Sequence, residues 1–434
     1  MNTIKGRGWM QEDNIVSTLV AKDKQLSSMF KVRFGTAIVI SVVCLLIVNF
    51  FMMREVSLGQ YPYDIDGWGH LVPVDQANTS GKEEACNFSL NDAYNPERGF
   101  LLPAIFGTAY CLTGSVEAVQ WMNLALHVLS CFIIVLCFSK QFKSLIIPSV
   151  AVLLWSIWPA YSYLHGYYFS EQIGAFFIVL AVCLLISIGK EVSGRALWLM
   201  LGIGLSLAVL LHVRASSLLF VLGIFGLVAW WYKRHLGKVL ASFAAFVLIY
   251  VSLPIVNYQH FSAFIPFTTQ GGFALHEGTY LPGDDLPAAA LRKIPEFNER
   301  EAKTVDMNAY ERDKYWKSLA IQNIADDPIG QIELLFKKAM RFWAYVPGYS
   351  WVPTTKSLVF ALPLFVVWLL SLTLLKNRNI LIINMAVVST WAMHTLIHSE
   401  YRYSYVVFPL IVVSCGIWVL RFIETTLLKK QVRD

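Results

Sequence analysis

The chain reads as an all-α polytopic integral membrane protein of about ten transmembrane helices, with helices lying along its outer face and a small helical segment outside the bilayer. Three observations predict this. Hydrophobic residues make up 56% of the 434 positions and mean hydropathy is +0.54, too apolar for a soluble domain and too long for a single anchor. The apolar residues fall in runs near the roughly 20 that a bilayer span requires. The cations behind the net charge of +6 gather in short clusters between those runs. Such clusters mark cytoplasmic loops, not a nucleic-acid surface.

On that ruler, spans are expected near 34–53, 117–138, 144–163, 170–188, 196–212, 215–232, 238–256, 357–375, 379–397 and 404–422. Met1 to Arg33 is polar, carries Lys5, Arg7, Lys22, Lys24, Lys31 and Arg33, and has no early apolar core with a cleavage site. It is expected to stay inside, with the first helix as an uncleaved signal anchor and residues 423–434 as a cytoplasmic tail. Phe100 to Thr113 is apolar but short. Were it to cross, the clusters at Lys140/Lys143, Lys190/Arg195, Lys233/Arg234/Lys238 and Lys376/Arg378 would all face outward, so it is read as re-entrant or surface-lying.

Two large outer segments remain, 54–116 following the first span and 257–356 following the 34–256 core. The second carries amphipathic helices at Met307 to Ile324 and Ile329 to Trp343, with Asp326-Asp327-Pro328 as stop and restart. Of the seven cysteines, Cys44, Cys131, Cys137, Cys183 and Cys415 lie in apolar runs and read as small core residues. Cys86 and Cys111 are both outer and pair if the compartment is oxidising.

The candidate chemistry gathers on the outer side. Tyr61-Pro62-Tyr63-Asp64-Ile65-Asp66-Gly67-Trp68-Gly69-His70 sets two carboxylates at the membrane edge, where they are cheap only if solvated or employed. Glu171 opens the fourth span, Arg214 occupies the tight turn after the fifth, and Tyr401-Arg402 lies at another outer helix end. Lys338 and Arg341 precede Phe342-Trp343, where the chain re-enters the membrane. Taken singly, Glu171 complements a helix N-terminus and the cations snorkel beside aromatic rings. Taken together, they surround one face with both signs of charge, which suits removal of a proton from one partner and departure of an anionic phosphate from the other.

Trp155, Trp158, Tyr161, Tyr163, Tyr167 and Tyr168 read as an interfacial aromatic belt before a sugar-stacking platform. Asn123 and His127 read as a helix–helix hydrogen-bonding pair. No compact His/Cys/Asp spacing for a metal occurs, which leaves cofactor use, a divalent ion included, open.

The order Asp66…His70, Arg98-Gly99-Phe100-Leu101-Leu102-Pro103, Gly114, Asn123, Pro159, Ser170-Glu171, Arg214, Gly271-Gly272…Gly278 and Tyr401-Arg402-Tyr403…Pro409 resembles the membrane glycosyltransferases of the C superfamily (GT-C). It is most similar to the bacterial branch related to protein O-mannosyltransferases and aminoarabinose transferases. The resemblance spans about 34 to 422 and implies an enzyme of the bacterial inner membrane with a periplasmic site. It implies a polyprenyl-phosphate-sugar donor, an envelope acceptor (lipid A, another glycan, a lipid carrier or a protein) and no nucleic acid. An acidic residue of the first outer loop is the implied base, Asp66 by its spacing to His70, with Asp64 as alternate. Glu171 is expected to join the catalytic set. Arg214, Arg402, Lys338 and Arg341 are expected to hold the donor phosphate, and His70, Arg98, Gly272, His276, Glu277 and Tyr401 to contact substrate.

The chemistry agrees with that expectation. A hydroxyl is too weak an acid to ionise at neutral pH, so a carboxylate must take its proton as the glycosidic bond forms. A lipid phosphate leaves as a stable anion and needs no protonating acid. The alternatives are a lipid-linked glycan ligase or polymerase, which would use a diphosphate carrier, and a secondary transporter, which would place ionisable groups near the bilayer midplane.

Overall fold

The computed structural model describes residues 28–29, 31–50, 86, 94–115, 117–157, 170–189, 194–283, 291–343 and 355–431. Among these every regular element is helical, apart from an isolated bridge between Asn95 and Gly99. In chain order the helices are α1 (Lys31–Phe50), α2 (Leu101–Thr113), α3 (Glu117–Phe142), α4 (Ile146–Ile157), α5 (Glu171–Ile188), α6 (Arg195–Val213), α7 (Leu218–Trp231), α8 (Leu236–Tyr250) and α9 (Ser252–Phe261). Next come α10 (Gly271–Glu277), α11 (Pro295–Ala302), α12 (Ala309–Asp326), α13 (Pro328–Trp343), α14 (Thr355–Ser371), α15 (Arg378–Leu396) and α16 (Phe408–Gln431).

Seven helical stretches among the described residues are long and apolar enough to cross a membrane: Lys31–Phe50, Glu117–Phe142, Glu171–Ile188, Arg195–Val213, Lys233–Phe261, Arg378–Leu396 and Phe408–Thr426. The other three expected spans correspond to shorter apolar helices. Ile146–Ile157 stands in place of 144–163, whose last residues lie outside the described ones, and Ala215–Trp231 and Ala361–Leu374 stand in place of 215–232 and 357–375. Several boundaries move, with α3 running on from the expected 138 to Phe142 and α16 from 422 to Gln431. The run expected to end at 256 stays helical to Phe261, and the span expected from 404 starts at Phe408, because residues Tyr401–Val406 form a 3-10 turn.

Helix ends follow local chemistry. In α12, Asn308 and Glu311 form a reciprocal capping box. The Asp327 carboxylate accepts from the Gly330 amide at 2.8 Å while Pro328 opens α13, where a missing N–H costs nothing. Asn377 caps α15. Gly114, at φ +78°, ends α2 in a left-handed conformation open to glycine.

Between spans, hydrocarbon offers no hydrophobic contrast, so small residues and shared hydrogen bonds set the contacts. A Cβ on Gly204 would stand 2.0 Å from the Ser242 carbonyl oxygen, so the backbones of α6 and α8 touch. Ser371, Asn384 and Ser414 tie α14, α15 and α16 together: the two hydroxyls are 2.8 Å apart, and the Asn384 amide donates to Ser414 at 2.9 Å. Helices α5 and α15 run antiparallel. Arg378 at the start of α15 meets Gly189 just past α5, and Arg402 beyond α15 meets Glu171 at the start of α5.

At the Glu171 end, α10, α11 and α12 form a lobe with its own apolar core of Tyr280, Leu291, Phe297 and Trp316. Cys86 is disulfide-bonded to Cys111 at the C-terminal end of α2, with Cα atoms 5.6 Å apart. The other five cysteines are free, four of them buried.

Candidate functional site

The most concentrated group of charges in the described residues lies where α5 begins, α6 ends and the 401–406 turn follows α15. Glu171 Oε1 is 3.4 Å from Arg214 Nη1 and 3.7 Å from Arg402 Nε, so two guanidinium groups share one carboxylate oxygen. Both partners of the Arg214–Glu171 pair have side chains 5% exposed. Ser170 adds its hydroxyl, which accepts from Arg214 Nη1 at 3.1 Å. Arg402 Nε is also 2.5 Å from Glu400 Oε2, and Glu400 Oε1 lies 3.1 Å from His398 Nε2. Two arginines and two glutamates thus alternate in one buried network, with a histidine at its end.

An aromatic floor supports the network. The guanidinium carbons of Arg214 and Arg402 lie 5.7 and 5.5 Å from the Tyr403 ring centre. Tyr403 stacks on His394 at 4.0 Å, and His394 Nδ1 contacts the His398 carbonyl at 3.3 Å. Burial, with Glu400 adding to it, pushes the Tyr403 phenol up to about 12, so it stays neutral beside the charges. Gly174 makes room for the arginine stem: a Cβ there would stand 2.5 Å from Arg214 Cδ.

A second polar chain runs inward from this floor. Tyr405 donates its phenol to Gln172 Oε1 and lies 3.3 Å from His127 Nδ1, and His127 Nε2 is 2.9 Å from the Ser156 hydroxyl. His127 therefore joins α3, α4 and the 401–406 turn through hydrogen bonds, as a helix–helix partner should. The belt expectation is corrected at Trp155. It is fully buried, with its ring 4.3 Å from His127 and 5.1 Å from Tyr405, because α4 is packed inside the bundle at that point. The other aromatic residues of that group, Trp158, Tyr161, Tyr163, Tyr167 and Tyr168, lie outside the described residues.

The remaining expected site residues occupy distinct places. Asp64, Asp66 and His70 lie outside the described residues. Lys338 is 2% exposed and its ammonium donates to the main-chain carbonyls of Gly278, Leu396 and Ile397 at 2.9, 3.3 and 3.1 Å. It thereby clasps the lobe to the end of α15. Arg341 is buried one turn further along α13. Arg98 sits in the Asn95–Gly99 turn and donates to Gln270 Oε1 at 2.5 Å, next to the Pro96 carbonyl that accepts from the Thr269 amide. Gly272 donates its amide to Asp313 Oδ1 at 2.6 Å, in a contact so close that a Cβ would stand 2.1 Å from the Asp313 carbonyl.

His276 lies within the lobe core, stacked on Trp316 at 4.8 Å, with Asn323 Nδ2 3.3 Å from its Nδ1. Burial and the Arg300 charge lower its pKa to about 4, so it is neutral near pH 7. Glu277 is buried beside it in the chain, and Tyr401 opens the 3-10 turn.

The structure thus brings Glu171, Arg214 and Arg402 together, and places Arg98, Gly272, His276 and Lys338 in contacts that build the lobe and its joint. The sequence reading quoted Tyr403 only within a motif and gave no role to His398 or Glu400, while Tyr405 fell inside an expected span. For the first three the signal was present: six consecutive residues, His398 to Tyr403, are polar or aromatic between two apolar runs. Among the described residues no group of three His, Cys, Asp or Glu side chains is placed to hold a metal ion. No protein-family model matches the chain, and no curated protein matches its sequence.

Proposed function

We propose that the protein is a membrane glycosyltransferase that moves a sugar from a polyprenyl-phosphate donor to an envelope acceptor on the non-cytoplasmic side of a bacterial inner membrane, in a ten-span fold resembling the GT-C enzymes. The observation that carries this reading is the sharing of one Glu171 oxygen by Arg214 and Arg402 at 3.4 and 3.7 Å. Charge-assisted hydrogen bonds draw in to about 2.7–2.9 Å, so the carboxylate holds the two cations loosely. Only Nη1 of Arg214 is engaged among the described residues, which leaves the fork's other donors for an anion. The disulfide between Cys86 and Cys111 favours an oxidising compartment for this end.

In the proposed reaction the acceptor hydroxyl gives its proton to Asp66, or to Asp64 in its place, as oxygen bonds to the anomeric carbon. The bond from that carbon to the phosphate oxygen breaks, and its electron pair leaves with polyprenyl phosphate. Arg214 and Arg402 stabilise the leaving anion, with Glu171 and Glu400 keeping the guanidinium groups in place until it forms.

The test is transfer by the full chain in nanodiscs, supplied with polyprenyl-phosphate sugars and envelope lipid. The proposal expects a polyprenyl monophosphate product, and a loss in Asp66→Asn of at least about 100-fold in turnover with expression retained. A diphosphate product, or no donor consumed by the wild-type chain across the sugars tried, would overturn it.

A further inference from the structure

Helix α13 carries three kinds of face. Gln331, Leu334, Lys338, Arg341 and Phe342 are turned inward and buried. Glu333 and Lys337 pair with one another at 3.3 Å on the exposed side. Between these faces runs an apolar stripe, Ile329, Ile332, Phe336 and Met340, with exposures of 81, 56, 71 and 40%. At 100° per residue these four fall within one narrow sector. Trp343 extends that sector, yet it is buried, with its ring 4.8 Å from Trp368, 4.9 Å from Phe365 and 5.9 Å from Trp391.

The depth of the stripe follows from its hydrogen bonds. The Ala339 carbonyl accepts from Trp391 Nε1 at 3.0 Å. Trp391 lies five residues before the end of α15, about 7.5 Å along the axis at 1.5 Å per residue. One residue earlier, Lys338 grips the final carbonyls of that same candidate span. Met340 and Phe336 therefore sit level with the last turns of a membrane-crossing helix, facing away from the bundle. Ile332 and Ile329 continue the stripe beyond it.

We propose that α13 is an interfacial helix: its stripe lies against lipid acyl chains at the headgroup boundary, with the Glu333–Lys337 pair on the aqueous side. The occupant is bilayer lipid because the stripe is continuous with the lipid-level end of a span and is bordered by charge on its outer flank, the pattern of an amphipathic helix seated in an interface. This assignment does not depend on glycosyl transfer. It gives Lys338 a further meaning, since the ammonium that joins the lobe to α15 lies on a helix whose opposite side is set at a fixed depth by the membrane.

The test uses the unmodified full chain in nanodiscs of phosphatidylethanolamine and phosphatidylglycerol. The chain is labelled with a lipid-partitioning aryl diazirine and mapped by peptide mass spectrometry. Val39 and Leu46 of α1, both exposed, are the lipid-facing reference, and α11 (Pro295–Ala302) is the aqueous reference. The expected result is labelling of 329–340 within about twofold of α1, with Phe336 and Met340 carrying most of it. Labelling at the level of α11 would overturn the proposal. So would loss of the label on dimer formation, which would make a second copy the occupant.

Discussion

The two ends of the α5–α15 pair both carry arginine drawn into the packing, and they treat it in opposite ways. At one end Arg378 donates to the main-chain carbonyls of Leu185 and Gly189 and to the Tyr232 phenol, with its guanidinium carbon 4.7 Å from the Trp231 ring centre. Its partners are neutral, covalently fixed and complete a helix C-terminus. At the other end Arg214 and Arg402 share one Glu171 oxygen at the looser distances of 3.4 and 3.7 Å, with Glu400 holding Arg402 close at 2.5 Å. A carbonyl at a helix end cannot be exchanged for a ligand without unwinding the helix. A carboxylate on a side chain can give way to another anion. Lys338, held by three carbonyls, belongs with Arg378 although it lies beside the other group.

This contrast yields predictions of decreasing size. Gly278→Ala places a Cβ 1.6 Å from the Ile397 carbonyl oxygen, in the joint that Lys338 clasps. Thermal unfolding should show a loss of about 1–3 kcal/mol from overpacking. An unchanged melting curve would remove Lys338 from the carbonyl-held class.

Acidification acts on the lobe through His276. The His276 pKa is lowered to about 4 from 6.5, so folding favours the neutral ring. The stability it contributes is fully present above pH 6.5 and is lost as pH falls through 4, because unfolding takes up a proton across that window. Trp316 fluorescence should report that loss, and His276→Gln should flatten it. Gly174→Ala presses on the Arg214 stem from 2.5 Å while leaving the helix contacts of Arg378 untouched. Donor turnover should fall by about tenfold with little change in stability, since a displacement near 1 Å suffices for losses of that order.

The bundle was legible because hydrocarbon imposes one strong rule, and apolar runs such as 170–188 and 379–397 fall within a residue of Glu171–Ile188 and Arg378–Leu396. Helices α12 and α13 were legible through their amphipathic pattern and the Asp326-Asp327-Pro328 break between them, whereas the short α10 and α11 were not. The site was only partly legible. Glu171, Arg214 and Arg402 stand out as charges at span ends, but their meeting depends on α5 and α15 lying antiparallel and adjacent, which no local pattern states. The run beginning at 404 hid the turn that carries Tyr405, because its side chains are as apolar as a span while its backbone is a 3-10 turn. Trp155 misled for a related reason: an aromatic residue near a helix end resembles a membrane anchor until the packing around it is known.

The claim on which the rest depends is that the Glu171 end holds an anion and the Arg378 end does not. Native mass spectrometry of the full chain in nanodiscs with polyprenyl phosphate measures this directly. The account predicts that Arg214→Gln and Arg402→Gln each weaken binding by at least about tenfold, the loss expected for one charge-assisted contact of about 1.5 kcal/mol, whereas Arg378→Gln binds as the wild type does. Equal binding by all four chains, or a loss confined to Arg378→Gln, would contradict it.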